Sequence, residues 1–217
     1  MASDFIAQIR SSIINGEPDK TIELTQEALR SSLEPMEIID KGLMPGMNVV
    51  GEKFARGEYF LPNLVIAGTA MQNAMKLLEP ELAARKQTLE SSGTVVIGTV
   101  RGDIHEIGKS LVAIMLRANG FAVHDLGVNV SNETFIAKIK ETEAELIGLS
   151  ALITTTMTVQ REIIEALIGA GIRQQVKVMV GGTPVTSEWA ESIGADGYAE
   201  DAMSAVTLAK RLMELDS

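Results

Sequence analysis

The residue types that could support chemistry are few in this chain, and two of them stand close together. The 217 residues contain no cysteine and only two histidines, His105 and His124. Because the chain has no thiol, it cannot form disulfides or use a thiolate nucleophile. Zinc–cysteine sites and iron–sulfur ligation by cysteine are excluded for the same reason. Two imidazoles are too few for a site built from a cluster of histidines. Any histidine chemistry therefore depends on one imidazole and its neighbours, and we interpret His124 as a structural or surface residue.

His105 lies in the segment Val100–Ser110, where Asp103 stands two residues before it. The carboxylate could accept a hydrogen bond from one ring nitrogen and leave the other nitrogen free to bind a metal. The alternative is that Asp103 caps a helix that begins near Ile107 and that His105 is a solvated loop residue. The segment alone leaves both interpretations open.

Several other function classes are disfavoured by composition and spacing. The glycines at 98, 102 and 108 do not fit GxGxxG, and Gly108-Lys109-Ser110 lacks the earlier glycine of a P-loop because position 103 is aspartate. No nucleic-acid partner is expected, because the net charge is −10 and no block of Lys or Arg appears. No stretch reaches the roughly 18 apolar residues of a membrane span, and no signal sequence is recognised, so a cytoplasmic protein without a membrane partner is expected.

Residues 1–90 predict four amphipathic helices joined by short connectors, which is the pattern of a small helix bundle. The third helix starts near Pro35, and Gly42 and Pro45-Gly46 are expected to interrupt it. The fourth helix, from about Leu61 to about Arg85, is the longest. An all-α domain is therefore predicted for this part of the chain.

After the short polar segment Leu89–Gly93, which is the predicted linker, the pattern changes to alternating strands and helices. Five βα units predict a parallel sheet with helices on both faces, in an α/β domain of residues 91–217. Ligands of such sheets bind beyond the carboxyl ends of the strands. The predicted strands are Thr94–Val100, Phe121–Leu126, Leu146–Leu149, Val176–Val180 and Gly197–Ala199, with helices at about 107–119, 132–142, 156–170, 186–193 and 201–214.

Two further loops at that edge of the sheet carry candidate ligand contacts. The loop Ser150–Thr158 carries several hydroxyl side chains, which could cap a helix or bind the polar groups of a ligand. The loop after the fourth strand begins with Gly181-Gly182, where the backbone could approach a flat ligand closely. A bare turn is the commoner reason for paired glycines.

The three loops together read Asp-x-His-x-x-Gly, then 41 residues, then Ser-x-Leu, then 28 residues, then Gly-Gly. This pattern resembles the cobalamin-binding signature of base-off, His-on corrinoid proteins. That family includes the cobalamin-binding region of methionine synthase and the small corrinoid proteins of methanol, methylamine, methoxyarene and betaine methyltransferase systems. The segments Met44–Phe54 and Gly57–Leu64 resemble the family's helical domain, which caps the upper face of the cobalt. The resemblance implies a four-helix bundle cap followed by a flavodoxin-like (Rossmann-like) five-stranded parallel sheet.

The resemblance also implies roles for individual residues. His105 would be the lower axial ligand of cobalt and would displace the cofactor's own benzimidazole. Asp103 would hold the other ring nitrogen, and Thr156 stands where methionine synthase has the serine of a proton relay. These three are the catalytic candidates. The cofactor-binding candidates are Gly102, Asp103, Ile104, His105, Glu106, Ile107, Gly108, Ser150, Leu152, Thr154, Gly181, Gly182, Ala202 and Phe60.

Some of these candidates have a more specific role in the resemblance. Ser150 and Leu152 would flank the buried benzimidazole, and Gly181 and Gly182 would open the slot for the nucleotide tail. Phe60 is a candidate for an apolar lid over a methyl group; the alternative is that it belongs to the core of the bundle.

The implied function is that of a methyl carrier in one-carbon metabolism, non-catalytic alone. A corrinoid subunit of this kind shuttles a methyl group from a substrate-specific methyltransferase to a second methyltransferase that serves tetrahydrofolate or coenzyme M. Its cobalamin would alternate between methylcobalamin and cob(I)alamin, and a reductive activator is a further implied partner. One alternative is a cobalamin-dependent sensor or regulator with the same two domains, although such proteins normally append a DNA-binding or signalling module. Another is a flavodoxin-like domain that binds no cobalamin.

Overall fold

The computed structural model describes residues 2–85 and 92–215, and the chain divides into two compact units, Met1–Glu90 and Ser91–Ser217. The first unit is helical and the second is a parallel α/β sheet, so the predicted fold class is confirmed. Most of the predicted linker Leu89–Gly93 lies outside the described residues. Its last two residues already pair with the second unit, because Ser92 N–H donates to the Gly120 carbonyl and Ala122 N–H to the Gly93 carbonyl, both at 3.0 Å.

The helical unit buries an aliphatic core formed by one stripe of each long helix. Ile13, Met47, Leu64 and Leu78 are fully buried, as expected where amphipathic helices pack their apolar faces together. Its segments are α1 (Ala2–Asn15), α2 (Pro18–Arg30), α3 (Pro35–Ile38), a π-helical segment (Ile39–Leu43), α4 (Met44–Ala55) and α5 (Leu61–Ala84).

The predicted interruption of the third helix at Gly42 and Pro45-Gly46 is wrong, because residues 35–55 are helical throughout. Pro45 cannot donate to the Lys41 carbonyl one turn earlier, and this carbonyl accepts a 2.7 Å hydrogen bond from Arg10 Nη2 instead. A Cβ on Gly46 would lie 3.0 Å from Cβ of Ile13. The glycine therefore permits a close approach of α1 rather than ending the helix.

In the second unit five parallel strands form a sheet in the order β2-β1-β3-β4-β5. This is the flavodoxin-like order, in which the chain reverses its direction of travel across the sheet between β1 and β3. The elements are β1 (Thr94–Thr99), α6 (Ile107–Ala118), β2 (Ala122–Asp125), α7 (Asn132–Thr142), β3 (Leu146–Ser150), α8 (Thr154–Gly169), β4 (Lys177–Gly181), α9 (Ser187–Ser192), β5 (Gly197–Ala199) and α10 (Ala202–Leu212).

The strand register brings the three predicted loops to one edge. Thr99 of β1 pairs with Ser150 of β3, Ser150 with Gly181 of β4, and Gly181 with Ala199 of β5. These four residues form a row across the carboxyl edge of the sheet, immediately before the loops. The gap between β1 and β3 is the topological switch point, where open α/β sheets hold their ligands.

Helices cover the sheet in two layers, with α6 packed against α10 and α7 against α8. The core between α7, α8 and the sheet includes Phe135, Ile147 and Ile163, all fully buried. A Cβ on Gly98 would lie 2.7 Å from the Phe135 ring, so this glycine in β1 makes room for an aromatic side chain. In the part of the chain that the structure describes, no helix is long and apolar enough to cross a membrane.

Candidate cofactor-binding site

Asp103 is the centre of a hydrogen-bond network at the switch point, where the loops after β1 and β3 meet. Its side chain is fully buried. Oδ1 accepts from the backbone N–H of His105 at 3.1 Å and lies 2.7 Å from Nδ1 of the same residue. Oδ2 accepts from the backbone N–H of Leu152 and from the hydroxyl of Thr156, each at 2.7 Å. A buried carboxylate is thus held from both loops, with both oxygens satisfied.

These contacts decide the protonation state of the pair. Burial alone would raise the pKa of Asp103, but the hydrogen bonds from the Leu152 N–H, the Thr156 hydroxyl and His105 together hold it well below its ordinary value. The group is therefore a carboxylate at neutral pH and has no hydrogen to donate. The hydrogen in the 2.7 Å contact must then belong to Nδ1 of His105.

The second ring nitrogen of His105, Nε2, is consequently left free to bind a ligand. When the neutral ring carries its hydrogen on Nδ1, Nε2 has an unshared electron pair that can bind a metal. The His105 side chain is 48% exposed, whereas that of Asp103 is fully buried. The sequence alternative, in which Asp103 caps α6, is not what the structure shows. The N-cap position of α6 is Glu106, whose side chain makes no capping hydrogen bond, and the Asp103 carboxylate accepts from His105, Leu152 and Thr156 instead.

Thr156 also has a role other than capping. The N-cap residue of α8 is Ile153, whose side chain makes no capping hydrogen bond. The Thr156 side chain is buried and its hydroxyl reaches Oδ2 of Asp103 from the first turn of α8. The structure therefore brings together Asp103, His105 and Thr156, the three residues of the predicted relay.

Large apolar side chains beside His105 point to a ligand with an apolar face. Ile104 is 76% exposed and Ile107 is 66% exposed. Ile153, in the loop that supplies Leu152 and Thr156, is also exposed. Single exposed isoleucines are ordinary, but Ile104 directly precedes His105, Ile107 begins α6, and Ile153 directly follows Leu152, so all three are close in the chain to residues of the Asp103 network. The other predicted residues of the first loop, Gly102, Glu106 and Gly108, are exposed as well.

The ends of β3 and β4 are shaped by glycine. Gly181 ends β4, and a Cβ on it would lie 2.9 Å from the Ala199 carbonyl oxygen. Gly182 has φ +124°, and a Cβ there would overlap the backbone of Ala151. The glycine pair is therefore required by close backbone packing between neighbouring loops. A simple turn would not demand it.

The remaining predicted contacts are spread along the same edge, with one exception. Ser150 is partly buried at the end of β3, and Thr154 is exposed at the start of α8. Ala202 is buried as the first residue of α10. Phe60 belongs to the helical unit and is 68% exposed, so the alternative that it forms part of the bundle core is wrong.

Lys109 and His124 are two further residues that do not take part in the Asp103 network. Lys109 is buried, and its Nζ donates to both carboxylate oxygens of Asp125 at 2.6 Å. A lysine committed to this ion pair is not presented to a phosphate, in agreement with the poor match to a P-loop. His124 is exposed on β2, as expected of a surface residue.

Two residues that no motif marks also hold the first loop. The hydroxyl of Thr99 donates to the His105 carbonyl at 2.8 Å. Asn129, in the loop after β2, bonds Gly102 and Asp103. The only sequence signal for either is its position at the carboxyl end of a predicted strand.

The fold is that of a B12-binding protein. Residues 93–207 match one B12 binding domain family, and residues 6–79 match a second family of the same description. The chain belongs to the family of B12-binding corrinoid proteins, as the sequence resemblance indicated.

The relatives match the chain over nearly its full length. The trimethylamine corrinoid protein of Methanosarcina barkeri is 46% identical over 212 residues, with 98% of each chain covered. Dimethylamine corrinoid protein 3 of Methanosarcina acetivorans is 48% identical over 206 residues, with 95% of each chain covered. Among solved structures, the methanol:cobalamin methyltransferase complex MtaBC from Methanosarcina barkeri matches with a TM-score of 0.88 and 32% identity, over 99% of this chain and 81% of that chain.

The predicted cofactor, cobalamin, is confirmed by these matches, and the residues of the site fit it. A metal whose equatorial positions are already filled by a macrocycle needs only one protein nitrogen, which is what His105 presents. The exposed side chains of Ile104, Ile107 and Ile153 suit the apolar face of a large ring. The glycine pair brings backbone without side chains to the strand ends, because a Cβ at either position would meet the backbone of Ala199 or Ala151.

Proposed function

We propose that the chain is the methyl-carrying corrinoid protein of a methylamine methyltransferase system, with Nε2 of His105 as the lower ligand of cobalt. The observation that carries this proposal is the buried Asp103 carboxylate, because it fixes the hydrogen of His105 on Nδ1 and leaves Nε2 free. The half-exposed ring lies at the switch point of a B12-binding fold. No other histidine occupies a comparable position, since His124 is exposed on the edge strand.

When bound, cobalamin supplies a cobalt centre that can accept a methyl group and pass it on. The chain's own residues control the nitrogen below it. Asp103 orients the His105 ring and holds the hydrogen of Nδ1, which raises the basicity of Nε2. Leu152 N–H and the Thr156 hydroxyl keep Asp103 ionised by bonding Oδ2. A proton delivered to the pair would weaken this support. We propose that Thr156 takes part in this proton transfer, because its hydroxyl donates to Oδ2 of Asp103.

We assign binding of the cofactor's body and tail to the other predicted residues. Ile104 and Ile107 would contact the lower face of the ring, together with the backbone around Gly102, Glu106 and Gly108. At the second and third loops, the tail would lie along residues that leave room or offer a hydroxyl: Ser150, Leu152, Thr154, Gly181, Gly182 and Ala202. Phe60, an exposed aromatic side chain in the helical unit, is proposed as an apolar contact for the cofactor's methyl group.

The substrate class is proposed from the pattern of similarity. The two methylamine corrinoid proteins are 46% and 48% identical to the chain, whereas the methanol complex is 32% identical. The similarity therefore favours a methylamine as the methyl source. As partners we propose a methylamine-specific methyltransferase, a second methyltransferase that serves coenzyme M or tetrahydrofolate, and a reductive activator that restores the reduced cofactor.

The ligand assignment is tested by reconstituting the protein with cobalamin. We expect the wild type to bind it without benzimidazole coordination and to show one imidazole nitrogen in the electron paramagnetic resonance spectrum of the cobalt(II) form. His105→Ala should lose that nitrogen. His124→Ala is the matched control, since it removes the only other histidine, and it should leave the spectrum unchanged. A wild type that binds no corrinoid, or a nitrogen signal that survives in His105→Ala, would refute the proposal.

The substrate is tested separately by methyl transfer. The reduced, cobalamin-loaded protein is mixed with isotopically labelled trimethylamine, dimethylamine, monomethylamine or methanol and the methyltransferase that acts on each. We expect label on the protein with at least one amine and none with methanol. Methylation by the methanol system alone would overturn the substrate class while leaving the carrier role intact.

A further inference from the structure

The loop after β2, Leu126–Val130, supports the histidine-bearing loop from the side opposite to Leu152 and Thr156. The backbone N–H of Asn129 donates to the Asp103 carbonyl at 2.9 Å. Its side-chain Oδ1 accepts from the backbone N–H of Gly102 at 2.8 Å. Asn129 therefore donates one hydrogen bond to Asp103 and accepts one from Gly102, the residues two and three positions before His105.

The backbone of Asn129 is in an unusual conformation that serves this arrangement. Its φ is +54°, a left-handed value that asparagine tolerates better than most side chains. Because the partner on Gly102 is an N–H donor, the side-chain atom in contact must be the amide oxygen, which settles the orientation of the amide. The contact is thus specific to a residue that combines positive φ with a side-chain acceptor.

The loop that presents Asn129 is itself firmly held. The Asp125 carboxylate accepts from the Gly127 N–H at 2.9 Å and from the buried ammonium of Lys109. The Gly127 carbonyl accepts from Thr99 N–H, and Val130 N–H donates to the Thr99 carbonyl, each at 3.0 Å. The Lys109–Asp125 pair therefore ties this loop to α6, and the two Thr99 hydrogen bonds tie it to the end of β1.

We propose that Asn129 is a positioning residue, which holds the Gly102-Asp103 backbone so that the Asp103 carboxylate meets Nδ1 of His105. The inference rests on the proposed function of His105 as the cobalt ligand. Asn129 does not contact His105 in the hydrogen-bond network. It acts through the Asp103 backbone, and its loss would allow the carboxylate and the imidazole to separate.

The test uses the full chain with Asn129→Gly, which keeps the positive φ without strain and removes only the side-chain acceptor. Asn129 is exposed, so the domain should remain folded. The matched control is Glu143→Gly, because Glu143 is exposed, has φ +52°, and lies at the end of α7 away from the network. Thermal unfolding of both variants checks the fold.

The first readout is the tautomer of the neutral His105 ring in the cofactor-free protein, measured from ring ¹⁵N shifts at a pH high enough that they no longer change with pH. With only two histidines, His124→Gln assigns the spectrum, and the His124 signal reports whether the domain is folded. We expect His105 of the wild type and of Glu143→Gly to carry its hydrogen on Nδ1. In Asn129→Gly a substantial share should shift to the Nε2–H form.

The second readout is the Kd for cobalamin, which should rise about threefold to tenfold in Asn129→Gly, the range expected for one lost hydrogen bond. An unchanged tautomer together with an unchanged Kd would overturn the role of Asn129. That outcome is distinct from a failure of the proposed function. In such a failure the wild type would show no imidazole ligation of cobalt, or a ligation that His105→Ala does not remove.

Discussion

The loops after β1 and β4 prepare the same edge of the sheet in opposite ways. The first carries a buried carboxylate that holds an imidazole through polar side-chain contacts. The second, Gly181-Gly182, contributes bare backbone, packed so closely that a side chain at Gly182 would overlap Ala151. The difference shows that one edge of a sheet can be shaped both by directed hydrogen bonds between side chains and by glycines that let neighbouring backbones pack closely. Substitutions in the two loops should therefore fail for different reasons.

The largest effect is expected from Gly182→Ala. A Cβ at φ +124° would overlap the Ala151 backbone, which cannot yield as a flexible side chain can, so we expect a loss of about 4 kcal/mol or more in the free energy of unfolding. Gly194→Ala is the control, because Gly194 also has positive φ but open space around its Cβ, and it should cost about 1–2 kcal/mol. Denaturant unfolding followed by the fluorescence of Trp189, the single tryptophan, reports on this domain. Equal losses in the two variants would refute the close-packing half of the comparison.

A smaller but still large effect is expected from Asp103→Asn. The amide keeps one acceptor oxygen and loses the charge, so one set of buried donors is left without a partner. We expect the free energy of unfolding to fall by about 2–4 kcal/mol. The same variant should lose the Nδ1–H preference of His105, measured by ring ¹⁵N shifts. A variant that keeps both the stability and the tautomer of the wild type would show that the carboxylate does not organise the loop.

Two substitutions of Thr156 test the contributions of its hydroxyl and its methyl group separately. Thr156→Val removes the hydrogen bond to a charged acceptor and should cost about 1.5–3 kcal/mol in the free energy of unfolding. Thr156→Ser keeps the hydroxyl and should cost less than Thr156→Val. Thr154→Val, an exposed position on the same helix, should change stability by no more than about 0.5 kcal/mol. If the valine and serine variants were equally stable, the hydroxyl contact would have no role in holding Asp103.

The smallest effect is a pH dependence of the cofactor-free protein. Folding lowers the pKa of Asp103, so the unfolded chain binds this proton more readily than the folded chain does. The stabilisation from the carboxylate is present above the unfolded pKa of about 3.9 and is lost as the pH falls below it. The difference in unfolding free energy between wild type and Asp103→Asn should therefore shrink as the pH falls below about pH 4. A difference that is independent of pH in this range would contradict the assignment of an ionised Asp103.

Much of the arrangement could be predicted because several of its residues are close together in the sequence. Asp103 and His105 are two residues apart, and Gly181 and Gly182 are adjacent, so their types and their positions at strand ends were visible in the chain. Local hydrophobic periodicity likewise predicted the strands and the four helices. The predicted break at Pro45-Gly46 was wrong, although both residues are typical helix breakers. The chain stays helical there because α1 packs against Gly46 and Arg10 bonds the Lys41 carbonyl that Pro45 cannot reach.

The sequence by itself determined the alternation of strands and helices, and through its resemblance to corrinoid proteins it determined the family and the cofactor. Only the tertiary structure decided that Asp103 binds His105 rather than capping α6, because its other partners, Leu152 and Thr156, are 49 and 53 residues away. The same holds for Asn129, which no motif marks. The physical reason is that a buried carboxylate must satisfy both oxygens, and which donors do so depends on which loops the strand order brings together.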